Sequence, residues 1–161
     1  MPKHSAGILL YRFREGNLEV FLVHPGGPFW ARKDRAAWSI PKGEYEEGED
    51  PLEAAKREFA EETGIDLNST LIDLGELRQP SGKIVRAWAA SQDSDPSGIR
   101  SNTFTMEWPP NSSKLQEFPE IDRGAWCPTG VAKSKLHKGQ VAFIDKLRKI
   151  IGLPPGEADA L

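Results

Sequence analysis

The sequence predicts an α/β sandwich, in which a mixed β-sheet lies between helices. Two amphipathic helical patterns, one mid-chain and one near the end, alternate with short runs of branched and aromatic residues typical of strands. A sheet with a helix on each face buries both apolar stripes. The 161 residues fit one domain, which we place at residues 1–152, followed by a flexible tail at 153–161.

The composition is that of an ordinary globular protein. Charged residues make up 28% and hydrophobic residues 38%, which indicates neither disorder nor a membrane class. A net charge of −3 disfavours binding to duplex nucleic acid. The single cysteine, Cys127, excludes an internal disulfide, so we expect a cytoplasmic protein. The oligomeric state stays open.

The first part of the chain predicts a β-hairpin, formed by residues 5–13 and 18–24 around a turn at 14–17. A loop at residues 25–35 follows, in which two aromatic rings stand beside three cations. Such a loop can stack on a base and meet a phosphate, or its rings can pack back on the domain. Residues 38–43 predict a short strand.

A helix is predicted from Pro51 to Thr63, because its two ends are marked. Asp50 is a good N-cap and Pro51 suits the first helical position. Gly64 can adopt the left-handed conformation that ends a helix. At 100° per residue, the apolar residues form one stripe, which we interpret as the buried face.

Three glutamates, Glu58, Glu61 and Glu62, share an arc beside that stripe. An acidic arc is often only a solvated surface. Here Glu58 and Glu62 are a like-charge pair one turn apart, which is unfavourable without a counter-charge. A hard cation such as Mg²⁺ prefers carboxylate oxygens and removes that repulsion. The arc is therefore a candidate metal site.

The second part of the chain predicts more strands and one long helix. Residues 71–79 and 83–90 alternate as strands around a Pro-Ser-Gly turn, and residues 91–102 form a polar loop. Shorter strands are predicted at 104–108 and 125–127, and a helical turn at 130–135. The amphipathic helix at residues 139–151 is interpreted as core cover.

The segment Gly43 to Ile65, GEYEEGEDPLEAAKREFAEETGI, resembles the signature box of the Nudix hydrolases. The glycine and charged positions match, from Gly43 and Glu49 to the run Arg57 to Ile65. Phe59 differs, because the family usually has an aliphatic residue there. The resemblance implies the Nudix α/β/α sandwich and Mg²⁺-dependent, or Mn²⁺-dependent, hydrolysis of a nucleoside diphosphate linked to another group.

The resemblance also assigns roles to residues of the box. Glu58 and Glu62 would be the principal metal ligands, with Glu61 completing the cluster and the Gly43 carbonyl helping. Arg57 would pair with Glu49, pointing away from the carboxylates, and so fix the loop against the helix.

The resemblance also implies that an acidic residue a few positions before a tryptophan reaches over the metal site, and Glu120 is the best match, with Glu117 second. The general base stays open between a box glutamate and Glu120. Residues outside the box are candidates for substrate binding: Trp30, Lys42, Arg78 and Lys83.

The substrate is expected to be a small nucleotide polyphosphate, either a dinucleoside polyphosphate or a nucleoside triphosphate. The alternative is a noncatalytic module of the same fold that binds a nucleotide or an RNA end. Degenerate modules usually lose glutamates of the box, and this chain keeps them.

Overall fold

The computed structural model describes residues 2–154 and contains a mixed sheet between helices. The strands are β1 (His4–Arg14), β2 (Asn17–Pro25), β3 (Lys42–Tyr45), β4 (Ile72–Arg78), β5 (Ile84–Ser91), β6 (Thr103–Glu107), β7 (Leu115–Pro119) and β8 (Ile121–Pro128). The helices are α1 (Pro51–Thr63), α2 (Thr129–Lys135) and α3 (Ala142–Ile150).

Strand β1 lies at the centre of a six-stranded sheet. Five of its strands follow the order β4-β5-β1-β2-β8, and the sixth, β3, pairs with β1 outside this order. Strand β1 runs parallel to β5 and antiparallel to β2. On the side where its last residues pair with β2, the first residues of β1 pair with β3, and Ala6 is the partner of Gly43. The strand that begins the signature box is therefore fixed directly to the core of the sheet.

Alternate residues of β1 enter different cores, as the two-residue period of a strand requires. Ile8 and Leu10 lie in the core cluster that contains Phe59 of α1. Leu9 and Tyr11 pack on the other face, in the core that contains residues of α3 such as Phe143. Both helices bury their apolar stripes, which confirms the predicted sandwich.

Helix α1 has the predicted ends. The Asp50 carboxylate accepts a hydrogen bond from Glu53 N at 3.0 Å, and Gly64 closes the helix at φ 69°. Phe59 and Ala55 are fully buried against the sheet. The neighbouring glutamates consequently lie at the border of the core, next to β3.

The prediction missed one strand, β7. It pairs with β6 in a separate two-stranded sheet, which we call the β6–β7 hairpin. Most of the residues of β7 are exposed, so the segment lacks an alternating pattern that would reveal a strand. The predicted short strand at 38–43 is also displaced, because regular pairing begins only at Lys42.

The end of the described chain differs from the predicted boundary at residue 153. Leu153 packs against the core beside α3, and Arg148 Nε donates to the Pro154 carbonyl at 2.8 Å. These two residues belong to the folded unit, while the rest of the predicted tail, 155–161, lies outside the described residues. Within residues 2–154, no helix has the length and apolarity to cross a membrane.

Candidate active site

Two glutamates of α1 lie directly on the backbone of β3. Glu62 Oε1 accepts a hydrogen bond from Lys42 N at 3.0 Å. The Glu58 carboxylate lies so close to Gly43 that a methyl group added there would overlap it. Gly43 is required at this position because it leaves room for a carboxylate beside the strand.

Arg57 makes more contacts with glutamates of the box than predicted. Its guanidinium donates to Glu49 Oε2 at 2.9 Å, which is the expected pair. It also contacts Glu58 Oε1 at 2.9 Å and Glu61 Oε1 at 3.4 Å. The expectation that Arg57 points away from the carboxylates is wrong, because the long arginine side chain reaches across to its neighbours on the helix.

The carboxylates experience a strongly unfavourable environment for negative charge. Burial raises the pKa of Glu62 to about 8, although the Lys42 N–H opposes the shift. Burial and the nearby Glu61 charge raise the pKa of Glu58 as well. Burial, with the charge of Lys83, lowers the pKa of Lys42. In the absence of a cation, the site therefore favours the protonated forms of these two carboxylates.

A cleft of about 270 Å³, which we call the central cleft, opens beside Glu62. Three other predicted site residues line it, namely Trp30, Lys42 and Glu120. Glu120 lies between β7 and β8, and its charge also raises the pKa values of Glu58 and Glu62. Glu117, the second choice, is an exposed residue of β7 and does not line this cleft.

The other two candidates for substrate binding lie outside the central cleft. Arg78 Nη1 is 3.5 Å from the Gly82 carbonyl in the turn between β4 and β5. Lys83 pairs with Glu44 at 3.3 Å. Neither cation is part of the cleft lining, although the charge of Lys83 is near enough to contribute to the lowered pKa of Lys42.

Sequence analysis missed several residues of the central cleft, and their positions explain why. Gln140 Oε1 accepts from Ile40 N at 2.9 Å across 100 residues of sequence, and Gln79 and His137 come from two other distant segments. Each stands in a stretch with no motif. The missed lining residues include Trp38, Gln79, His137 and Gln140.

The side chains Glu58, Glu61 and Glu62 provide carboxylate oxygens, the type of donor that a hard divalent cation prefers. The tight approach of Glu58 to Gly43 places a carboxylate oxygen beside the main chain of β3. Within the described residues, no three acidic, histidine or cysteine side chains already converge as a metal cage. Glu58 and Glu62 are instead engaged by Arg57 and by Lys42 N.

The raised pKa of Glu62 predicts how the stability of the metal-free protein depends on pH. Its pKa is about 8 in the folded chain, against an ordinary value of 4.5. The folded state keeps a proton that the unfolded state releases, so the free energy of unfolding decreases as pH rises from about 4.5 to 8. We expect thermal melts in EDTA to show this decrease.

The matched variant for this measurement is Glu62→Gln, whose amide oxygen can still accept from Lys42 N. Its melting temperature should decline less than that of the wild type over the same pH range. Parallel profiles for the two proteins would show that Glu62 does not titrate in this way.

A helix whose glutamates contact a short strand, which is itself paired with the central strand of a mixed sheet between helices, is the arrangement of a Nudix domain. The chain belongs to the Nudix family, whose NUDIX domain model matches residues 1–147. The predicted family and fold class are thereby confirmed.

Two curated relatives are both RNA pyrophosphohydrolases. The protein from Rhizobium meliloti (strain 1021) is 37% identical over 106 residues, which cover 56% of this chain and 58% of the relative. The protein from Caulobacter vibrioides (strain NA1000 / CB15N) is 48% identical over 54 residues, which cover 30% of this chain and 31% of the relative. The matches thus span well under two thirds of either relative.

Solved structures agree on the fold. An Ap4A hydrolase from C. elegans, solved as a binary complex, has a TM-score of 0.63 and 23% identity, covering 93% of this chain and 98% of its own. The NUDIX domain of Shewanella oneidensis NrtR, complexed with ADP ribose, has a TM-score of 0.64 and 17% identity, covering 94% and 89%. At these identities, the likeness concerns the fold alone.

Proposed function

We propose that the protein is a metal-dependent pyrophosphohydrolase that cleaves a phosphoanhydride bond of a nucleoside polyphosphate. The observation that supports this most strongly is the pair Glu58 and Glu62, held on β3 at the border of the core. Their pKa values are raised by burial, next to a cleft that also contains Lys42 and Glu120. Family membership and the relatives' printed names support the same class of reaction.

The arrangement fits an anionic substrate only when a cation is present. In their ionised forms, Glu58, Glu61 and Glu62 would repel phosphate oxygens, and the Arg57 charge is already shared among carboxylates. Glu58 and Glu62 would hold Mg²⁺ or Mn²⁺, with Glu61 and the Gly43 carbonyl as further donors. When bound, the metal ion supplies charge neutralisation at the phosphate oxygens and a lowered pKa for water.

The remaining residues then have separate tasks. In hydrolysis, the water oxygen forms a bond to phosphorus while the bridging P–O bond breaks, and the water proton leaves to a base. Glu120 is the residue we assign as that base, because it lines the cleft and is exposed to solvent. Lys42, which also lines the cleft, would hold a phosphate oxygen through its amine.

Arg57 acts through other residues. Its contacts with Glu49, Glu58 and Glu61 fix the loop before α1 and orient the carboxylates. The backbone hydrogen bond from Lys42 N does the same for Glu62. Both contacts limit the rotation of side chains that must converge on one cation.

The substrate class we propose is a nucleoside 5′-polyphosphate group, which free dinucleoside polyphosphates and the 5′ end of RNA have in common. The names of the curated relatives, RNA pyrophosphohydrolase, add the RNA end to the substrates expected from sequence. The test is a panel of diadenosine tetraphosphate, nucleoside triphosphates and a 5′-triphosphorylated RNA, with Mg²⁺ or Mn²⁺. Products should be separated by chromatography.

We expect the protein to cleave at least one member of the panel, and we expect the cleavage to stop when EDTA is added. A folded protein that binds Mg²⁺ and nucleotide but cleaves nothing would contradict the proposal and favour the noncatalytic binding module.

Gly43→Ala should weaken metal binding about 10- to 100-fold, the range seen when groups that orient metal ligands are changed. The added methyl group overlaps the Glu58 carboxylate and displaces it from β3. Mn²⁺ binding followed by electron paramagnetic resonance measures the effect without requiring turnover. Gly98→Ala is the matched control, because open space surrounds Gly98. Equal Mn²⁺ affinity in both variants would contradict the assignment.

A further inference from the structure

A second pocket, of about 440 Å³, lies between the 25–35 loop and the β6–β7 hairpin. We call it the aromatic pocket, because its walls include Phe29 and Trp30 from the loop and Phe104 with Met106 from the hairpin. Phe29 is 60% exposed and Trp30 is 39% exposed. Large rings exposed together in one concave site are typical of ligand binding.

The aromatic pocket is continuous with the central cleft. Pro25, Trp30 and Glu120 line both. Trp30 is thus a shared wall, and Lys42 and Glu62 line the central cleft together with it. A molecule whose phosphates reach these groups can extend its other end past Trp30 into the aromatic pocket.

The pocket is built by fixed contacts between loop and hairpin. Gly26 N donates to the Glu120 carbonyl at 2.8 Å, and Gly27 packs directly against the Phe104 ring. Phe29 meets Trp108 edge to face, with ring centroids 5.6 Å apart. A preformed pocket of this kind loses little conformational entropy when a ligand enters.

We propose that the aromatic pocket binds the nucleobase of the substrate, with Trp30 as the stacking residue. The inference is an extension of the proposed function, since it places the base of the same nucleotide whose phosphates lie at the carboxylates. A flat base suits a pocket of rings, and the Lys33 ammonium lies over one face of the Trp30 ring, 5.1 Å from its centroid, where it adds positive charge to the site. Because every base has a π-face, recognition is tolerant of base identity.

Two probes that contain no anhydride bond test this proposal apart from turnover. AMP and ribose 5-phosphate have the same sugar and phosphate, and only AMP has a base. We expect calorimetry to show AMP binding about 5- to 100-fold more tightly than ribose 5-phosphate, the range for stacking of one base on an aromatic residue. UMP should likewise bind more tightly than ribose 5-phosphate.

Trp30→Ala should remove most of this preference, and Trp30→Phe should retain it, because a phenyl ring still stacks. Phe13→Ala is the control, since Phe13 is an exposed aromatic residue, at 55%, at the far end of β1. Equal affinity for the two probes, undetectable AMP binding, or equal losses in Trp30→Ala and Phe13→Ala would overturn the proposal. If AMP binds more tightly than ribose 5-phosphate while no polyphosphate is cleaved, the base-binding site is supported and the proposed hydrolysis is contradicted.

Discussion

Glu62→Gln should reduce metal-dependent hydrolysis on the order of 10³-fold in kcat/KM, the size of effect expected when an essential electrostatic group is removed from the reacting centre. The substitution keeps the shape of the side chain and its oxygen acceptor for Lys42 N, while it removes the charge that a cation requires. The measurement is a steady-state assay on whichever polyphosphate the wild type cleaves, over a range of Mg²⁺ concentrations.

The control for this variant is Glu117→Gln, which changes an exposed glutamate of β7 outside the central cleft. It should retain wild-type kinetics. Circular dichroism and thermal melts establish that Glu62→Gln is folded. Unchanged hydrolysis in Glu62→Gln would remove this residue from the site, and unchanged hydrolysis in Glu58→Gln as well would remove the acidic arc from catalysis altogether.

Phe59→Ala should lower the free energy of unfolding by about 3–5 kcal/mol, as large-to-small changes of buried aromatic residues do. Phe59 is fully buried between α1 and the sheet, in the cluster that contains Ile8, Leu10 and Phe21. Since domains of this size are stable by roughly 5–15 kcal/mol, the loss is a large share of the total. Urea denaturation at equilibrium measures it.

Phe59→Leu tests whether the position requires an aromatic ring or only apolar volume. It should cost less than Phe59→Ala, about 1–2 kcal/mol, because most of the volume is kept. The exposed Phe13 provides a surface reference, and Phe13→Ala should change stability by no more than about 0.5 kcal/mol. A small effect of Phe59→Ala would mean that α1 is not held by this residue.

Much of helix α1 was predictable, because its signals are local. Asp50 and Gly64 cap the helix as expected, and the apolar stripe with Phe59 is buried. The acidic arc beside that stripe follows from the same register. The pairing of Arg57 with Glu49 was implied by the family resemblance and is present in the structure.

Other parts of the site depend on contacts between distant segments, which composition and periodicity do not report. Gln79 and His137 line the central cleft without any motif. The second strand of the β6–β7 hairpin is largely exposed, and residues of its first strand nevertheless form one wall of the aromatic pocket. The family resemblance already favoured Glu120 over Glu117, and the structure shows that Glu120 lines the central cleft while Glu117 is exposed on β7.

The sequence by itself determined the sandwich, the register of α1 and the family, because caps, a 3.6-residue period and a spaced motif act within a few turns of chain. Only the tertiary structure decided where those carboxylates lie relative to Lys42, Trp30 and Glu120. The physical reason is burial: desolvation raises the pKa of Glu62 to about 8 only when the helix packs on β3.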